Sequence, residues 1–319
     1  MGHLGKQHAR IHSSLAREGR AQFVAVCDID EGRVNEIARQ YDVATHVDWR
    51  TLIGTVDAVS LAVPTESHAE IACGLLEAGI HVLVEKPIAR TVDEADAMVA
   101  AAMKSGGILQ VGHTERFNPA MIALRPHVRA PVYFEIHRVG QFTARSLDID
   151  VVLDLMIHDL DIVQWLVGED VAVTNVHAVG IPILTNRVDA ANARIEFATG
   201  AVANITASRV GTEKIRKMRF FQPRDYVVVD YANNYASISN LAQSAASPWP
   251  GVRTQVLEVN DVEPLRAQIE SFLDAATNQT QPIVSGADGR RALSLALMTL
   301  QQIHEHTVRI GQSLPQTLA

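Results

Sequence analysis

The chain has 319 residues, 47% of them hydrophobic and 20% charged, which excludes a disordered or low-complexity polypeptide and, at about 150 residues per domain, points to two domains. Its 28 Lys and Arg against 36 Asp and Glu give a net charge of -8. With no basic run in the sequence, general binding to nucleic acid or to anionic membranes is disfavoured.

The N-terminus opens on the turn-like cluster Gly2-His3-Leu4-Gly5 and runs at once into a helical pattern from Lys6 to Ala16. A short strand follows from Gln22 to Cys27, then a helix from Glu31 to Gln40 and an apolar strand from Ala58 to Ala62. The alternation continues with a helix over Ser67 to Ala78, a strand over His81 to Val84, a helix over Val92 to Lys104 and a strand over Ile108 to Val111. Apolar strands separated by helices of this length imply a parallel sheet covered on both faces, a Rossmann-type doubly wound α/β domain over residues 1–112. Beyond Gly112 the strands alternate instead: Val132 to Val139, Val173 to Val179, Ala190 to Phe197, Ala201 to Arg209, and a hairpin of Lys217 to Phe221 with Tyr226 to Asp230. With a helix over Asp150 to Val167, a loop over Ile238 to Gly251, and closing helices over Glu263 to Ala276 and Asp288 to Thr307, residues 113–319 read as an α+β domain with an open antiparallel sheet. Alternating apolar positions such as Ala191, Ala193, Ile195 and Phe197 give that sheet a second face on which a homo-oligomer would form.

A dinucleotide fingerprint needs a strand, G-x-G-x-x-G, a helix and an acid at the end of the second strand. Gly2 and Gly5 supply the second and third glycines, and Asp28 supplies the acid. Gly2 would let the backbone approach a pyrophosphate, Gly5 would let helix and sheet pack closely, and Asp28 would bind the adenosine ribose diol and repel a 2′-phosphate. NAD is therefore expected rather than NADP. The first glycine and the first, central strand are missing; the expectation is that the gene continues upstream of Met1 with a short apolar run ending in Gly-x.

Glu85-Lys86-Pro87 follows a strand at the carboxyl edge, where open α/β sheets bind ligands. Pro87 restricts Lys86 to an extended conformation compatible with a cis bond, which would hold the ammonium beside a nicotinamide; the alternative is an exposed loop lysine with a surface partner. Asp154 and His158 lie four residues apart on one helix face, and Asp161 extends the stripe. Set among apolar residues, they read as an acid/base pair, as a satisfied core histidine or, least well for want of a third strong ligand, as a metal pair. Cys27 and Cys73 form no C-x-x-C and suit a reducing cytoplasm. No apolar run approaches the roughly 18 residues of a membrane span, and no signal-peptide core is visible.

In this order and spacing, the glycine turn with Lys6, His8 and Ala9, then Cys27-Asp28, Val63-Pro64-Thr65 with His68, Glu85-Lys86-Pro87 and Asp154-x-x-x-His158 resemble the Gfo/Idh/MocA family of NAD(P)-dependent oxidoreductases. The resemblance implies that Lys86 holds the reacting hydroxyl, that His158 is the general acid/base and that Asp154 orients a sugar. It implies also that His3, Leu4, Val63, Pro64, Thr65, His68, Glu85 and Pro87 border the cofactor; for want of a third strong ligand, no metal is expected. Gly112-His113, Glu115-Arg116-Phe117-Asn118-Pro119 and the segment from Asp150 to Asp159 are similar to members of the family that oxidise C3 of a UDP-N-acetylhexosamine. Arg116, Asn118, Arg138 and Arg145 are then candidates for a diphosphate or a sugar, each readable also as a surface charge. The rival readings are an inositol or free-sugar dehydrogenase and a non-catalytic NAD- or sugar-binding regulator.

Overall fold

The computed structural model describes residues 2–141, 149–242 and 251–313. Its contacts divide the chain into two units, 1–114 with 263–293, and 115–262 with 294–319. Residues 263–293, grouped by sequence with the second domain, thus belong with the first.

In the first unit α1 (His3–Arg17), β1 (Ala25–Cys27), α2 (Glu31–Tyr41), β2 (Ala44–His46), β3 (Ala58–Leu61), α3 (His68–Glu77), β4 (His81–Glu85), α4 (Val92–Ser105) and β5 (Leu109–Gly112) alternate along the chain. All the strand pairs are parallel: β1 with β2, β3 with β4, and β4 with β5. Capping explains several helix starts. Asp30 accepts from the Arg33 N–H ahead of α2, and Thr91 accepts from the Glu94 N–H ahead of α4, each satisfying an orphan donor of a first turn. α7 (Pro264–Asn278) returns to this unit, where Ile269 and Phe272 pack with Ile11, Leu15 and Leu83. The strand expected over Gln22 to Cys27 is shortened to its last three residues.

Among the described residues no strand joins β1 to β3, and the parallel strands form two separate sheets. Both strands line a cavity of about 1590 Å³. Apolar β3 is half-buried at Ala58, Val59 and Ser60, whereas β5, paired to the other side of β4, is buried throughout. Two unpaired parallel edges flanking an apolar gap are the conditions for strand addition. Fusing a short apolar strand ahead of Gly2 is expected to raise Tm by at least about 5 °C, since a few buried aliphatic side chains contribute several kcal/mol. A polar extension of equal length should leave Tm unchanged; equal shifts for the two would disprove the gap's preference.

The second unit contains α5 (Pro119–Leu124), β6 (Tyr133–Val139), α6 (Ile157–Val167), β7 (Val173–Ile181), β8 (Ala190–Phe197), β9 (Val202–Ser208), β10 (Ile215–Gln222), β11 (Asp225–Asp230), β12 (Tyr235–Ala242) and β13 (Gly251–Val256). The sheet order is β13-β12-β11-β10-β6-β9-β8-β7. Every pair is antiparallel except β6 with β9, which is parallel, so the sheet is mixed. Residues 238–242, expected in a loop, form part of β12, paired with β13 throughout and with β11 at 238–240. Their Ser and Asn content lowers strand propensity, but cross-strand pairing overrides it. α8 (Gly286–Ser313) exceeds the predicted Asp288 to Thr307 at both ends.

The sheet face proposed for oligomerisation is corrected by burial. Ala191, Ala193, Ile195 and Phe197 are all buried within the unit itself, on strands one face of which is covered by the helical segment 152–156 and by α8, where Ile303 meets Gly180. Alternation showed that one face is apolar, not what covers it. The opposite face carries Asn192, Arg194 and Glu196, with hydrogen bonds running to Thr206 and within the Arg194–Glu196 pair.

Candidate active site

In the first unit the carboxyl ends of the parallel strands and the start of α1 converge on the cavity. It is lined by Gly2, His3, Leu4 and Gly5 of α1 and its turn, by Asp28 after β1, by Val63, Pro64, Thr65 and His68 after β3, and by Glu85 and Lys86 at the end of β4. These positions include every residue the sequence assigned to the cofactor except Pro87. No side chain caps the N-terminus of α1, and nothing lies within 4 Å of where a Gly2 Cβ would stand. An uncapped helix N-terminus with open backbone in front of it offers N–H donors and a positive dipole end to an anion. With a carboxylate at Asp28, this donor set fits a dinucleotide such as NAD.

The loop after β4 is fixed from several sides. The Lys86–Pro87 peptide is cis. Buried His68 has ring nitrogens 3.0 Å from the carbonyl oxygens of Val63 and Pro87, tying the loop after β3 to the loop that bears Lys86. Burial pushes the His68 pKa down against the pull of these carbonyls, so a neutral ring donates to one of the two at a time. Glu85 is buried, and His8 Nε2 and Gln268 Nε2 donate to its Oε1 over 3.0 and 3.1 Å. Burial raises the Glu85 pKa, but these hydrogen bonds and the attraction of His8 and Lys86 outweigh it and hold the carboxyl below its usual range. Sequence reasoning quoted His8 without giving it a role and missed Gln268, which comes from α7 far along the chain.

His12 lies 2.8 Å from the Ser60 hydroxyl. Burial above all, with the nearby charge of His8, lowers its pKa from 6.5 to about 4. The unfolded chain therefore binds this proton more readily between those values. The associated stability is complete above pH 6.5 and is lost as pH falls toward 4. Urea midpoints followed from pH 7 to pH 4 should fall less steeply in His12→Gln than in the natural chain; parallel curves would rule this contribution out.

In the second unit a π-helical turn, Val152–Met156, leads straight into α6. Asp154 stands on that turn and His158 on the first turn of α6. Hydrogen bonding from i to i+5 inserts an extra residue and re-aims the side chains that follow, a device frequent at functional sites. Both side chains are only half-buried, whereas Asp159 and Asp161 are fully buried. Asp161 does not extend their stripe. It accepts from Arg116 Nε and Nη2 at 2.9 and 2.7 Å.

Arg138 is likewise engaged, its Nε and Nη2 donating to Asp159 and its Nη1 to Glu115. Asn118 caps α5 by accepting from the Ala120 N–H, and its amide donates to the Tyr231 carbonyl. All three side chains are buried, so the surface-charge alternative is wrong, and their visible partners are protein groups rather than open solvent. Arg145 lies outside the described residues. Among the described residues no group of three or more His, Cys, Asp or Glu is placed to hold a metal ion, and no helix is long and apolar enough to cross a membrane.

Comparison with known proteins supports this architecture. Residues 1–113 match the Gfo/Idh/MocA oxidoreductase family model with its NAD-binding Rossmann fold, and residues 124–222 match the Gfo/Idh/MocA C-terminal domain. The chain is 37% identical to a UDP-N-acetylglucosamine 3-dehydrogenase of Acidithiobacillus ferrooxidans over 93% of each chain. The chain belongs to the Gfo/Idh/MocA family. A solved structure of UDP-N-acetylglucosamine 3-dehydrogenase from the same organism superposes with a TM-score of 0.89 at 36% identity, covering 95% of both chains. A scyllo-inositol 2-dehydrogenase (NAD(+)) of Bacillus subtilis is 25% identical over 93% of this chain and 90% of its own. This member of the Gfo/Idh/MocA family is therefore an NAD-dependent oxidoreductase acting on a sugar hydroxyl.

Proposed function

We propose that the chain oxidises the C3 hydroxyl of a UDP-N-acetylhexosamine, in a cytoplasmic setting and as a homo-oligomer. The observation that carries the substrate is the 37% identity to a UDP-N-acetylglucosamine 3-dehydrogenase, which extends over nearly the whole of both chains and so through the second unit. The inositol dehydrogenase matches over a similar length at 25%.

NAD, when bound, supplies the hydride acceptor. The residues that would hold it are Gly2 to Gly5 at the helix N-terminus, Asp28, and the loops of Val63 to Thr65 and Glu85 to Pro87. In this reading the Lys86 ammonium donates to the reacting oxygen and stabilises its developing negative charge. An imidazole nitrogen of His158 takes the hydroxyl proton, and Asp154 orients the sugar.

The test is an absorbance assay at 340 nm with NAD and, separately, UDP-N-acetylglucosamine, UDP-glucose, scyllo-inositol and myo-inositol. Turnover with the UDP-N-acetylhexosamine should exceed that with the others by at least about a hundredfold in kcat/KM. Preference for an inositol would replace the substrate while leaving the oxidoreductase reading intact.

A further inference from the structure

Within the first unit a chain of buried and half-buried polar groups runs from the end of β5 to Lys86. The Thr114 hydroxyl donates to Gln268 Oε1 over 2.7 Å, and the Gln110 amide donates to the Gln268 carbonyl over 2.9 Å. Gln268 is wholly buried. With its amide oxygen occupied by Thr114, its amide nitrogen is turned onto Glu85 Oε1. The other oxygen, Oε2, accepts from the Lys86 N–H over 3.4 Å. Space for this carboxylate exists because residue 112 is glycine, where a Cβ would come within 2.6–2.7 Å of the Glu85 carboxylate atoms.

A carboxylate is an expensive way to fill this space. Burying a charge carries a desolvation penalty that its partners must offset, and an apolar side chain with apolar neighbours would serve packing as well. What the arrangement gives instead is direction. The amide of Gln268 cannot flip without setting its oxygen against the Glu85 carboxylate, which can only accept, and the Thr114 hydroxyl donates to the oxygen of the unflipped amide; Glu85 in turn holds the peptide from which the Lys86 side chain departs. We propose that Gln268 is a positioning residue for Lys86, set in place by Thr114 and acting through Glu85. The inference rests on the reading of Lys86 as the group beside the cofactor and the reacting hydroxyl.

Lysine labelling by pyridoxal phosphate and borohydride, located by peptide mass spectrometry, reports where the Lys86 amine stands, with or without NADH. In the natural chain NADH should slow labelling of Lys86 by about tenfold or more. In Gln268→Leu and in Thr114→Val, NADH should still bind, as read by its fluorescence, but protection should fall to about twofold. kcat should drop at least about tenfold at nearly constant KM, as expected when a reacting group is displaced by a fraction of an ångström. Thr114→Ser, which keeps the hydroxyl, should restore both. Should Gln268→Leu fail to fold, the Thr114 pair carries the test alone. Full protection in Thr114→Val would overturn the role of Gln268 while leaving Lys86 at the cofactor. NADH that fails to bind the natural chain, or binds without protecting Lys86, would overturn the site reading and this inference with it.

Discussion

Lys86→Ala and His158→Asn are each expected to lose about 10²–10⁴-fold in kcat while retaining NADH binding near that of the natural chain. Lys86 is half-buried on a loop pinned by hydrogen bonds to Glu85 and His68, so removing its side chain beyond Cβ leaves that scaffold standing. His158→Asn keeps a polar side chain of similar reach on α6 but removes the imidazole that would accept and return the hydroxyl proton. The two losses should not multiply. If the lysine and the histidine act on one hydroxyl, the double variant should be barely worse than the poorer single variant, because each group works in a transition state that needs both. Steady-state kinetics with parallel NADH fluorescence titration decides the matter. Turnover near that of the natural chain in both single variants would remove these residues from the chemistry, and a loss confined to KM would make them binding groups only.

The parts of this site that were legible in the sequence are those whose chemistry is local. Glu85-Lys86-Pro87 and Asp28 follow strands directly, and an apolar run ending in a polar residue marks a carboxyl edge of a parallel sheet. The pairing of β6 with β9 had no such mark, since side-chain alternation is the same in parallel and antiparallel neighbours. Gln268 was invisible for a different reason. It reads as one polar residue within a helix, and only the return of α7 to the first unit turns it toward Glu85. Arg116 and Arg138 carried a signal open to two readings. Two forked cations in an acidic chain suggest an anionic ligand, and Asp159 and Asp161 were visible, but period alone does not say that these alternate aspartates both point into the protein.

Arg138→Leu is expected to lower the stability of the chain by about 3–5 kcal/mol, the usual cost of stripping one partner from a buried ion pair. The guanidinium is buried, with Asp159 at 2.7 and 2.8 Å, Glu115 at 2.7 Å and the Tyr231 ring 5.4 Å away. Burial works against its charge, but the two carboxylates outweigh burial and hold its pKa well above the ordinary arginine value. Without it, Asp159 and Glu115 face each other with no cation between them. Arg138→Lys keeps the charge but not the planar fork and should fall between the two. Arg138→Leu combined with Asp159→Leu should recover much of the loss, because no buried carboxylate of Asp159 then remains unpaired. Thermal and urea unfolding of these variants separates a structural fork from a substrate ligand. If Arg138 served chiefly to bind a diphosphate, Arg138→Leu would melt with the natural chain and raise KM for the UDP-sugar by itself, and the double variant would bring no recovery.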